Sequence, residues 1–274
     1  MCGGDAAIVM TENSDDGPRT IQSVEKACAI IRALRELDGA GITELATHLD
    51  MSKGSVHTYL TTLKRNDLVT ESGGRYQLGL SFLDFGEYVK RQNLVYQSAQ
   101  DSLDEMATET GELARLVMRE GAHGIYLAKA EGENAIETTV RPGQREYLHC
   151  TSQGKAILAH LPTSEVRRLI AEHGLPERTA NTITEADELF DELEEIRSHG
   201  IAFSRSELTR GLRCVAAPIY GTDGTPIAAI GICGPTSRMQ GDRFREEYPK
   251  IVRDKANVIE INMQMATKRH AETS

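Results

Sequence analysis

The sequence predicts an α+β protein of two domains. Its 274 residues exceed the size of a typical single domain. Apolar residues recur at helical spacing through most of the chain up to Thr110, and beyond Gly111 the pattern changes to short strand-like runs separated by glycine. A hydrophobic content of 39% and a charged content of 26% are typical of a globular protein rather than a disordered one.

Residues 1–18 are polar, rich in Gly and Asp, and predicted to form a disordered extension. They lack the basic segment and the sustained apolar core of a secretory signal. No run of about 18 apolar residues occurs in the chain, so a membrane-spanning helix is not expected. We therefore expect a cytoplasmic protein that does not contact a membrane.

Residues 19–79 predict three helices and a hairpin. The first helix is predicted over about 21–37 and ends at the glycines of DGAG. Thr43 is predicted to cap a second, short helix within ITELATHLD, and Ser52 is predicted to cap a third within SKGSVHTYLTTLKRND. Two short helices joined by a tight turn indicate a helix-turn-helix.

The third predicted helix has two different faces. On a helical wheel, Val56, Leu60 and Leu63 form an apolar stripe that should face the core. The opposite side carries small, hydrogen-bonding or cationic residues, namely Gly54, Thr58, Thr61 and Arg65, flanked by Ser55 and His57. Such groups can enter a major groove and meet base edges or phosphates. Taken alone, the same pattern also fits the solvated face of a surface helix.

A predicted hairpin follows this helix. The segment LVTESGGRYQLG reads as a strand, a glycine turn and a second strand. Three helices followed by a hairpin are typical of a winged helix-turn-helix domain. Arg75, beside the turn, could reach a phosphate, although an arginine at a turn is often only solvated.

A linker helix and a second domain are predicted after the hairpin. Residues 80–93 keep a helical apolar rhythm that breaks near Asn93, and we place the second domain at 94–274. The segments ELARLVMREG, HGIYLAKAEG, NAIETTVRPGQREYLH, IAFSRSEL and RCVAAPIYGTDGTPIAAIGICG predict strands. The segments TSQGKAILAHL and EADELFDELEEIRSHG predict helices. The last helix is predicted to be amphipathic, with apolar residues at helical spacing: Tyr248, Ile251, Val258, Ile261 and Met265. The second domain is thus predicted to be an antiparallel sheet with flanking helices.

The net charge of −10 is unevenly distributed. Residues 19–91 hold ten Lys and Arg against nine Asp and Glu, whereas residues 92–274 hold 21 bases against 28 acids. The predicted winged domain is therefore close to neutral and the acidity lies elsewhere. Few cations would release few counterions, so nucleic-acid binding by this domain should depend only weakly on salt.

The chain shows no pattern of a metal site or of a catalytic centre. Its five cysteines include no C-x-x-C pair, so neither a zinc site nor a disulfide framework is expected. SQGKA lacks the first glycine and the Ser or Thr of a phosphate-binding loop, and neither G-x-S-x-G nor H-E-x-x-H occurs. Lys155 is expected to be a surface or helix-start cation. We predict no cofactor, no metal and no catalytic residue.

Several segments, in order and at natural spacing, resemble the IclR family of transcription regulators over residues 20–268. They are IQSVEKACAII, ITELATHLDMSKGSVHTYLTTLKRNDLV, GRYQLG, LHCTSQGKAILAHLP, NTIT, and RGLRCVAAPI followed by GICGPTSRM. The resemblance implies a winged domain that binds double-stranded operator DNA and a GAF-like, six-stranded domain that binds a small, usually anionic metabolite. It also implies a homodimer or homotetramer, and leaves open whether the protein is a repressor or an activator.

The resemblance assigns DNA contacts to the third helix and its neighbours. We expect Lys53, Ser55, His57 and Thr58 near bases. Thr61, Lys64 and Arg65 are expected nearer the backbone. The candidate DNA-binding residues are Thr43, Lys53, Gly54, Ser55, His57, Thr58, Thr61, Lys64, Arg65 and Arg75. Relatives often carry a basic residue at the position of Thr58, so this chain lacks a bidentate guanine reader there.

The resemblance places an effector site between the sheet and the helix that begins at TSQGK. The candidate residues are Thr151, Ser152, Gln153, Ser204, Leu212, Cys214, Gly231 and Cys233. Relatives that bind acids often have an acidic residue at the position of Ser204 and serines at those of Gly231 and Cys233. This site should therefore be roomier and offer fewer hydroxyl groups. A sugar, a sugar acid or an aromatic acid would each be compatible with it.

Two other functions remain open. Cys150, Cys214 and Cys233 would all lie near the effector site, which would suit a redox-sensing regulator. Against this, buried cysteines usually behave as small apolar residues. A small-molecule enzyme is the remaining alternative, and the absence of the motifs above argues against it.

Overall fold

The structure, a computed structural model, describes residues 19–138 and 140–273. The extension predicted to be disordered, residues 1–18, lies outside the described residues. The chain divides into two compact units, and the division falls between Tyr88 and Val89. This point lies within the predicted linker at 80–93, and the finer division of the chain into four parts stays a prediction.

The first unit is a winged helix-turn-helix, as the sequence predicts. Its elements are α1 (Gln22–Glu36), α2 (Ile42–His48), α3 (Lys53–Arg65) and the antiparallel strands β1 (Val69–Ser72) and β2 (Arg75–Leu78). Gly73 and Gly74 connect the two strands with φ of +59° and +80°. Two-residue hairpin turns that match the strand twist need such positive values, which glycine adopts without strain.

The core of this unit is centred on α3. Val56, Leu60 and Leu63 are buried, as the helical wheel predicts, and they pack with Ile30 of α1 and Leu45 of α2. The opposite side of α3 is thereby left to solvent.

The two short helices start differently. Ser52 caps α3 as predicted, since its hydroxyl accepts the backbone N–H of Ser55 at 3.1 Å. The prediction that Thr43 caps α2 is wrong. Gly41 is the N-cap, because the Glu44 carboxylate accepts the Gly41 backbone N–H at 3.4 Å, and Thr43 lies within the first turn.

Two further helices follow the wing. They are α4 (Ser81–Gln92) and α5 (Leu94–Thr110). The predicted break at Asn93 is present, and its side-chain oxygen caps α5 by accepting the Tyr96 backbone N–H at 2.9 Å. No residue of α4 is buried. Large apolar side chains on it are exposed: Leu83, Phe85, Tyr88 and Val89.

The second unit is built on one six-stranded antiparallel sheet. Its strands are β3 (Leu113–Glu120), β4 (His123–Glu131), β5 (Arg145–Tyr147), β6 (Ala202–Arg205), β7 (Leu212–Tyr220) and β8 (Pro226–Pro235). The strand order across the sheet is β5-β4-β3-β8-β7-β6. The predicted GAF-like sheet with flanking helices is confirmed.

Helices cover both faces of this sheet. They are α6 (Ser152–Leu158), α7 (Thr163–His173), α8 (Ala186–His199) and α9 (Tyr248–Thr273). On one face, Leu116 and Ile230 share a core with residues of α5 and α9. On the other face, Ala216 and Ala229 share a core with residues of α6, α7 and α8. The two faces of the sheet therefore pack into separate cores.

Two predictions about the strands and helices of this unit fail. The segment NAIETTV was expected to be a strand, but residues 134–138 and 140 lie outside the strands, and Val140 packs on Val117 and Tyr126 instead. On α9, Tyr248 and Ile251 are buried, but the other predicted apolar positions are exposed: Val258, Ile261 and Met265. The buried side of α9 continues through Val252, Ala256, Ile259 and Met263, because the apolar residues of this helix occupy two sides rather than one.

Within residues 19–138 and 140–273, no helix has the length and apolar character needed to cross a membrane.

Candidate functional site

The outward face of α3 carries most of the candidate DNA-binding residues. These are exposed: Lys53, Gly54, His57, Thr58, Thr61, Lys64 and Arg65, with Ser55 half-buried beside the Ser52 cap. Thr43 on α2 and Arg75 on β2 are also exposed, and both line a cleft next to the wing together with Glu44 and Glu71. The candidates thus fall into a polar helix face and a cleft with an acidic lining.

The four candidate cations of this unit differ in their partners. Lys64 forms a 2.8 Å ion pair with Glu71, and the hydrogen bond between them raises the pKa of Lys64 and lowers that of Glu71. The Arg75 guanidinium donates to the Gly39 carbonyl and lies 3.5 Å from Glu44. In the part of the chain that the structure describes, no acidic side chain pairs with Lys53 or Arg65. These two charges are therefore the ones available to a phosphate.

The threonine hydroxyls of α3 are engaged by their own helix. Thr58 donates to the Gly54 carbonyl at 3.0 Å, and Thr61 donates to the His57 carbonyl at 2.8 Å. Each hydroxyl then offers only its lone pairs and the adjacent methyl group to a neighbour. At a base edge, these groups suit the amino group of adenine or cytosine, or the methyl group of thymine.

The candidate effector residues on strands share one face of the six-stranded sheet. Ser204, Cys214 and Cys233 are successive cross-strand partners on β6, β7 and β8. Gly231 and Leu212 are each two residues away from a member of this row, so they lie on the same face. Because Ala216, the partner of Gly231, packs with α6, this is the face that α6 covers.

The start of α6 supplies the remaining candidates. The Gln153 side-chain nitrogen lies 2.8 Å from the point that a Cβ on Gly231 would occupy, so this glycine makes room for the glutamine. The Ser152 hydroxyl donates to the Gln153 side-chain oxygen at 3.1 Å, while Gln153 Nε2 has no hydrogen-bond partner. Thr151 is the N-cap, since its hydroxyl accepts the Gly154 N–H at 2.9 Å. Gln153 is therefore the candidate with an unused donor.

A single disulfide joins Cys214 and Cys233, although no disulfide framework was expected. The two residues face each other across β7 and β8 with a Cα–Cα distance of 4.2 Å. The sequence contains an indication of this pairing, because the cysteines lie almost symmetrically, nine and ten residues from Asp223 at the centre of the GTDGT turn that joins these strands. The spacing rules for metal sites and disulfide-rich domains do not test that symmetry.

Lys155 lies near the start of α6, as one of the two expectations has it, but it is not a surface cation. Its side chain is fully buried, and its amino group lies 2.8 Å from both Glu192 and Glu207. Glu207 Oε1 accepts hydrogen bonds from the Lys155 amino group at 3.0 Å and from the Arg205 backbone N–H at 3.1 Å. Burial raises the pKa of Glu207 and the Lys155 charge lowers it, with burial the larger effect. This network joins α6 to α8 and to the loop after β6, and its contacts indicate a structural role.

Arg115 and its ring contact Tyr126 lie on the effector face but are not among the residues predicted from the sequence. Arg115 is 4% exposed and its Nε and Nη2 atoms have no hydrogen-bond partner, while its guanidinium carbon lies 5.4 Å from the centre of the Tyr126 ring. Its cross-strand partner on β8 is Gly231. The available signal was a single charge inside the apolar run LARLV, which is unusual for a strand with both faces covered.

The comparisons with known proteins cover both units. Residues 23–73 match the IclR helix-turn-helix domain, and residues 86–261 match the family of bacterial transcriptional regulator IclR C-terminal domains. The chain belongs to the IclR family. This chain is accordingly a DNA-binding transcription regulator with a ligand-binding domain, and the family consists of regulators rather than enzymes.

Individual relatives align along most of this IclR-family chain. The probable HTH-type transcriptional regulator ArcR of Halobacterium salinarum is 34% identical over 253 residues, which cover 91% of this chain and 96% of ArcR. The crystal structure of the Thermotoga maritima IclR matches with a TM-score of 0.72 and 30% identity, covering 88% of this chain and 98% of that one. An IclR homolog from Microbacterium hydrocarbonoxydans, complexed with 4-hydroxybenzoate, shares the fold with a TM-score of 0.74 and 18% identity over 87% of this chain and 99% of its own.

Proposed function

We propose that this regulator acts in the cytoplasm on a catabolic operon and binds operator DNA through the outward face of α3. A small metabolite bound between α6 and the sheet would alter that binding. The observation that carries the proposal is the composition of the α3 face. Small and hydrogen-bonding groups stand beside two unpaired cations, Lys53 and Arg65, so base edges and phosphates could be met together.

Selection of genomic DNA tests this proposal. The purified full-length protein would be mixed with sheared DNA from its source, and bound fragments would be recovered and sequenced. We expect a few discrete fragments, among them promoters of catabolic genes near the gene of the regulator itself. Enrichment of no fragment above the input, or enrichment independent of sequence, would contradict operator recognition.

The regulator is further proposed to be a homodimer or homotetramer. Helix α4 supports this, since its apolar side chains Leu83, Phe85 and Val89 are more than half exposed in the single chain. Apolar side chains clustered in this way favour burial against another chain. Two copies would also present two α3 helices to DNA half-sites about 34 Å apart.

Sedimentation measures the assembly directly. We expect the wild type at micromolar concentration to sediment as a dimer or tetramer, and Leu83→Asp to shift it towards the monomer. Gln92→Ala, at an exposed polar position of the same helix, is the matched control and should change nothing. A monomeric wild type would contradict the proposed assembly.

A redox response is a second candidate, and the paired cysteines favour it. Reduction of the Cys214–Cys233 disulfide would give two thiols, which hydrogen peroxide could reoxidise as it is reduced to two waters. Cys150 is unsuited to this chemistry, because burial raises the pKa of its thiol to about 12 and keeps it protonated.

The redox response is tested by measuring operator binding with dithiothreitol and with peroxide. The wild type would be compared with a variant that has serine in place of Cys150, Cys214 and Cys233. Identical binding under both conditions would exclude the redox response.

A further inference from the structure

The buried charged side chains of the second unit differ in whether a counter-charge accompanies them. In the described part of this unit, four Asp, Glu, Lys or Arg side chains are more than nine-tenths buried: Glu112, Arg115, Lys155 and Glu207. Glu112 accepts two hydrogen bonds from Arg238, at 2.6 and 2.8 Å. Lys155 is paired with Glu207 and Glu192. Arg115 alone has no acidic partner among the described residues.

This missing partner at Arg115 is costly for the folded protein. A guanidinium group stays protonated in proteins, so it cannot lose its charge when buried. An uncompensated buried charge is strongly destabilising. Tyr126 offers a cation–π contact, with its ring centre 5.4 Å from the guanidinium carbon, and its hydroxyl group hydrogen-bonds the guanidinium. Neither contact supplies a negative charge, and Nε and Nη2 stay without a hydrogen-bond partner. The Arg115 guanidinium is therefore prepared for an anion that comes from outside the chain.

A second unused donor lies beside the same position on the sheet. Arg115 and Gly231 are cross-strand partners, and the Gln153 side-chain nitrogen lies above Gly231. Gln153 Nε2, like Arg115 Nε and Nη2, is buried without a hydrogen-bond partner. These three groups all donate, so the matching ligand is one that only accepts. A carboxylate meets this need, and it fits the fork of an arginine through two parallel hydrogen bonds.

The surroundings of Arg115 indicate what the rest of the ligand would be. Val117, Tyr126 and Val140 form a buried apolar cluster beside the arginine. Tyr126 adds no negative charge, because burial raises its pKa to about 12. Lys129, the cross-strand partner of Arg115 on β4, is exposed and forms an ion pair with Glu131, so its charge already has a partner. The one unpaired positive charge, beside an apolar cluster, favours an anion of a single charge with an apolar body.

We propose that Arg115 binds the carboxylate of a small monocarboxylic acid, with Gln153 donating to the same group and the apolar body lying on Val117, Tyr126 and Val140. This inference rests on the proposed effector function of this face of the sheet and names the ligand class. It adds Arg115 to the candidate effector residues. It also narrows the compatible ligands to acids and disfavours neutral sugars.

Matched acids and amides test the proposed ligand class. The probes are acetate and benzoate, with acetamide and benzamide as neutral analogues of the same shape, and sodium chloride as the control for ionic strength. We expect at least one acid at millimolar concentration to raise the Tm of the full-length wild type by about 3 °C or more, through binding to the folded state. The amides should leave the Tm unchanged. The proposal fails if neither acid raises the Tm, or if the amides raise it equally.

Two substitutions assign the effect to Arg115. Arg115→Met should abolish the acid-dependent rise, and its Tm without ligand should equal or exceed that of the wild type because an unpaired buried charge is removed. Arg115→Lys keeps the charge but loses the fork, so we expect benzoate to bind at least about tenfold more weakly in a calorimetric titration. Lys155→Met is the matched control at a paired buried charge, and it should lower the Tm. An unliganded Arg115→Met protein that is less stable than the wild type would contradict the proposal.

Operator binding separates this inference from the proposed function. The Arg115→Met variant should bind a selected genomic fragment as the wild type does in the absence of acid. If neither protein binds DNA, the proposed function fails. If both bind DNA and the acid acts equally on both, only the assignment of Arg115 fails.

Discussion

Arg65 and Arg75 are both exposed cations of the winged unit, but their guanidinium groups have different neighbours. Arg75 donates to the Gly39 carbonyl and lies 3.5 Å from Glu44, whereas Arg65 has no acidic partner among the described residues. The sequence names both as possible phosphate contacts and leaves open that Arg75 is only solvated. The structure distinguishes them through pairing, which depends on residues distant in sequence.

We predict unequal effects when these arginines are replaced. Arg65→Ala should weaken operator binding and lower the magnitude of the salt slope by about 1, as expected for the loss of one phosphate contact. Arg75→Ala is the matched control and should do less, because its charge is already engaged by Glu44. Fluorescence anisotropy at several salt concentrations measures both quantities. An equal loss for the two variants would contradict this assignment.

Arg115 shows why some site residues escape sequence reasoning. A charge within LARLV could face solvent on a one-sided sheet, and only helices on both faces make it a buried charge. The burial of Lys155 could not be predicted for the same reason, since its partners Glu192 and Glu207 are 37 and 52 residues away along the chain. Burial of a charge depends on long-range packing, which the local pattern does not contain.

At the scale of elements, the contact between α6 and β8 depends on Gly231. An added Cβ would lie 2.6 Å from the Val215 carbonyl oxygen and 2.8 Å from Gln153 Nε2. Gly231→Ala should therefore lower the free energy of unfolding by about 1–3 kcal/mol through overpacking, as measured by urea denaturation. Gly86→Ala is the matched control, because Gly86 is exposed within α4 and has nothing near its Cβ position. This change should raise the free energy of unfolding, by at most about 1 kcal/mol. A Gly231→Ala protein as stable as the wild type would contradict the close packing of α6 on β8.

Two buried groups on neighbouring elements should make stability fall at alkaline pH. Burial raises the pKa of Cys150 from 9.0 and that of Tyr126 from 10.0, both to about 12. Above about pH 9 the unfolded chain loses these protons while the folded chain keeps them, so the native state binds more protons and loses stability as pH rises. This stability is fully present below pH 9.0 and is lost progressively towards about pH 12.

Urea denaturation at pH 8 and at about pH 10.5 checks this dependence. Cys150 alone should account for a fall of about 2 kcal/mol in the free energy of unfolding between these two pH values. Tyr126→Phe removes one of the two groups and should show a smaller fall than the wild type. A stability that rises over this interval would contradict the burial of both groups.

The orientation of a helix could be predicted where its apolar residues form a single stripe at helical spacing. The stripe of Val56, Leu60 and Leu63 fixed the orientation of α3, because one side of that helix is apolar and the other is not. On α9 the same reasoning failed, since Val258 and Ile261 form a second apolar side that is exposed in the single chain. A local pattern gives the period of a helix but does not say which of two apolar sides meets the core.

At the scale of the whole molecule, the charge distribution predicts weak salt dependence. Each α3 offers two unpaired cations, Lys53 and Arg65, so the proposed dimer would bring four to DNA. We expect the logarithm of operator affinity to fall with the logarithm of salt concentration with a slope of about −4. Titrations at several potassium chloride concentrations measure this slope. A slope near −10 would mean that many more cations contact the DNA than the structure makes available.

The order of helices and strands along the chain was predictable, but the pairing of strands distant in sequence was not. The succession of helices, wing and strands follows from periodicity and turn residues, and the resemblance over residues 20–268 supplied the six-stranded sheet. The pairing of β3 with β8 joins segments more than 100 residues apart, such as Arg115 with Gly231, and leaves no local trace. The proposed acid site depends on that pairing, so it became visible only in the structure.

Recognition of operator DNA is proposed for the outward face of α3. It is tested most directly by titrating a fragment recovered by genomic selection with the wild type and with a His57→Ala, Thr58→Ala double variant. Arg168→Ala, at an exposed position on α7 of the other unit, is the control. We expect the double variant to bind at least about tenfold more weakly, in line with the loss of base contacts, and the control to bind as the wild type does. Equal affinity of the double variant and the wild type would contradict the claim.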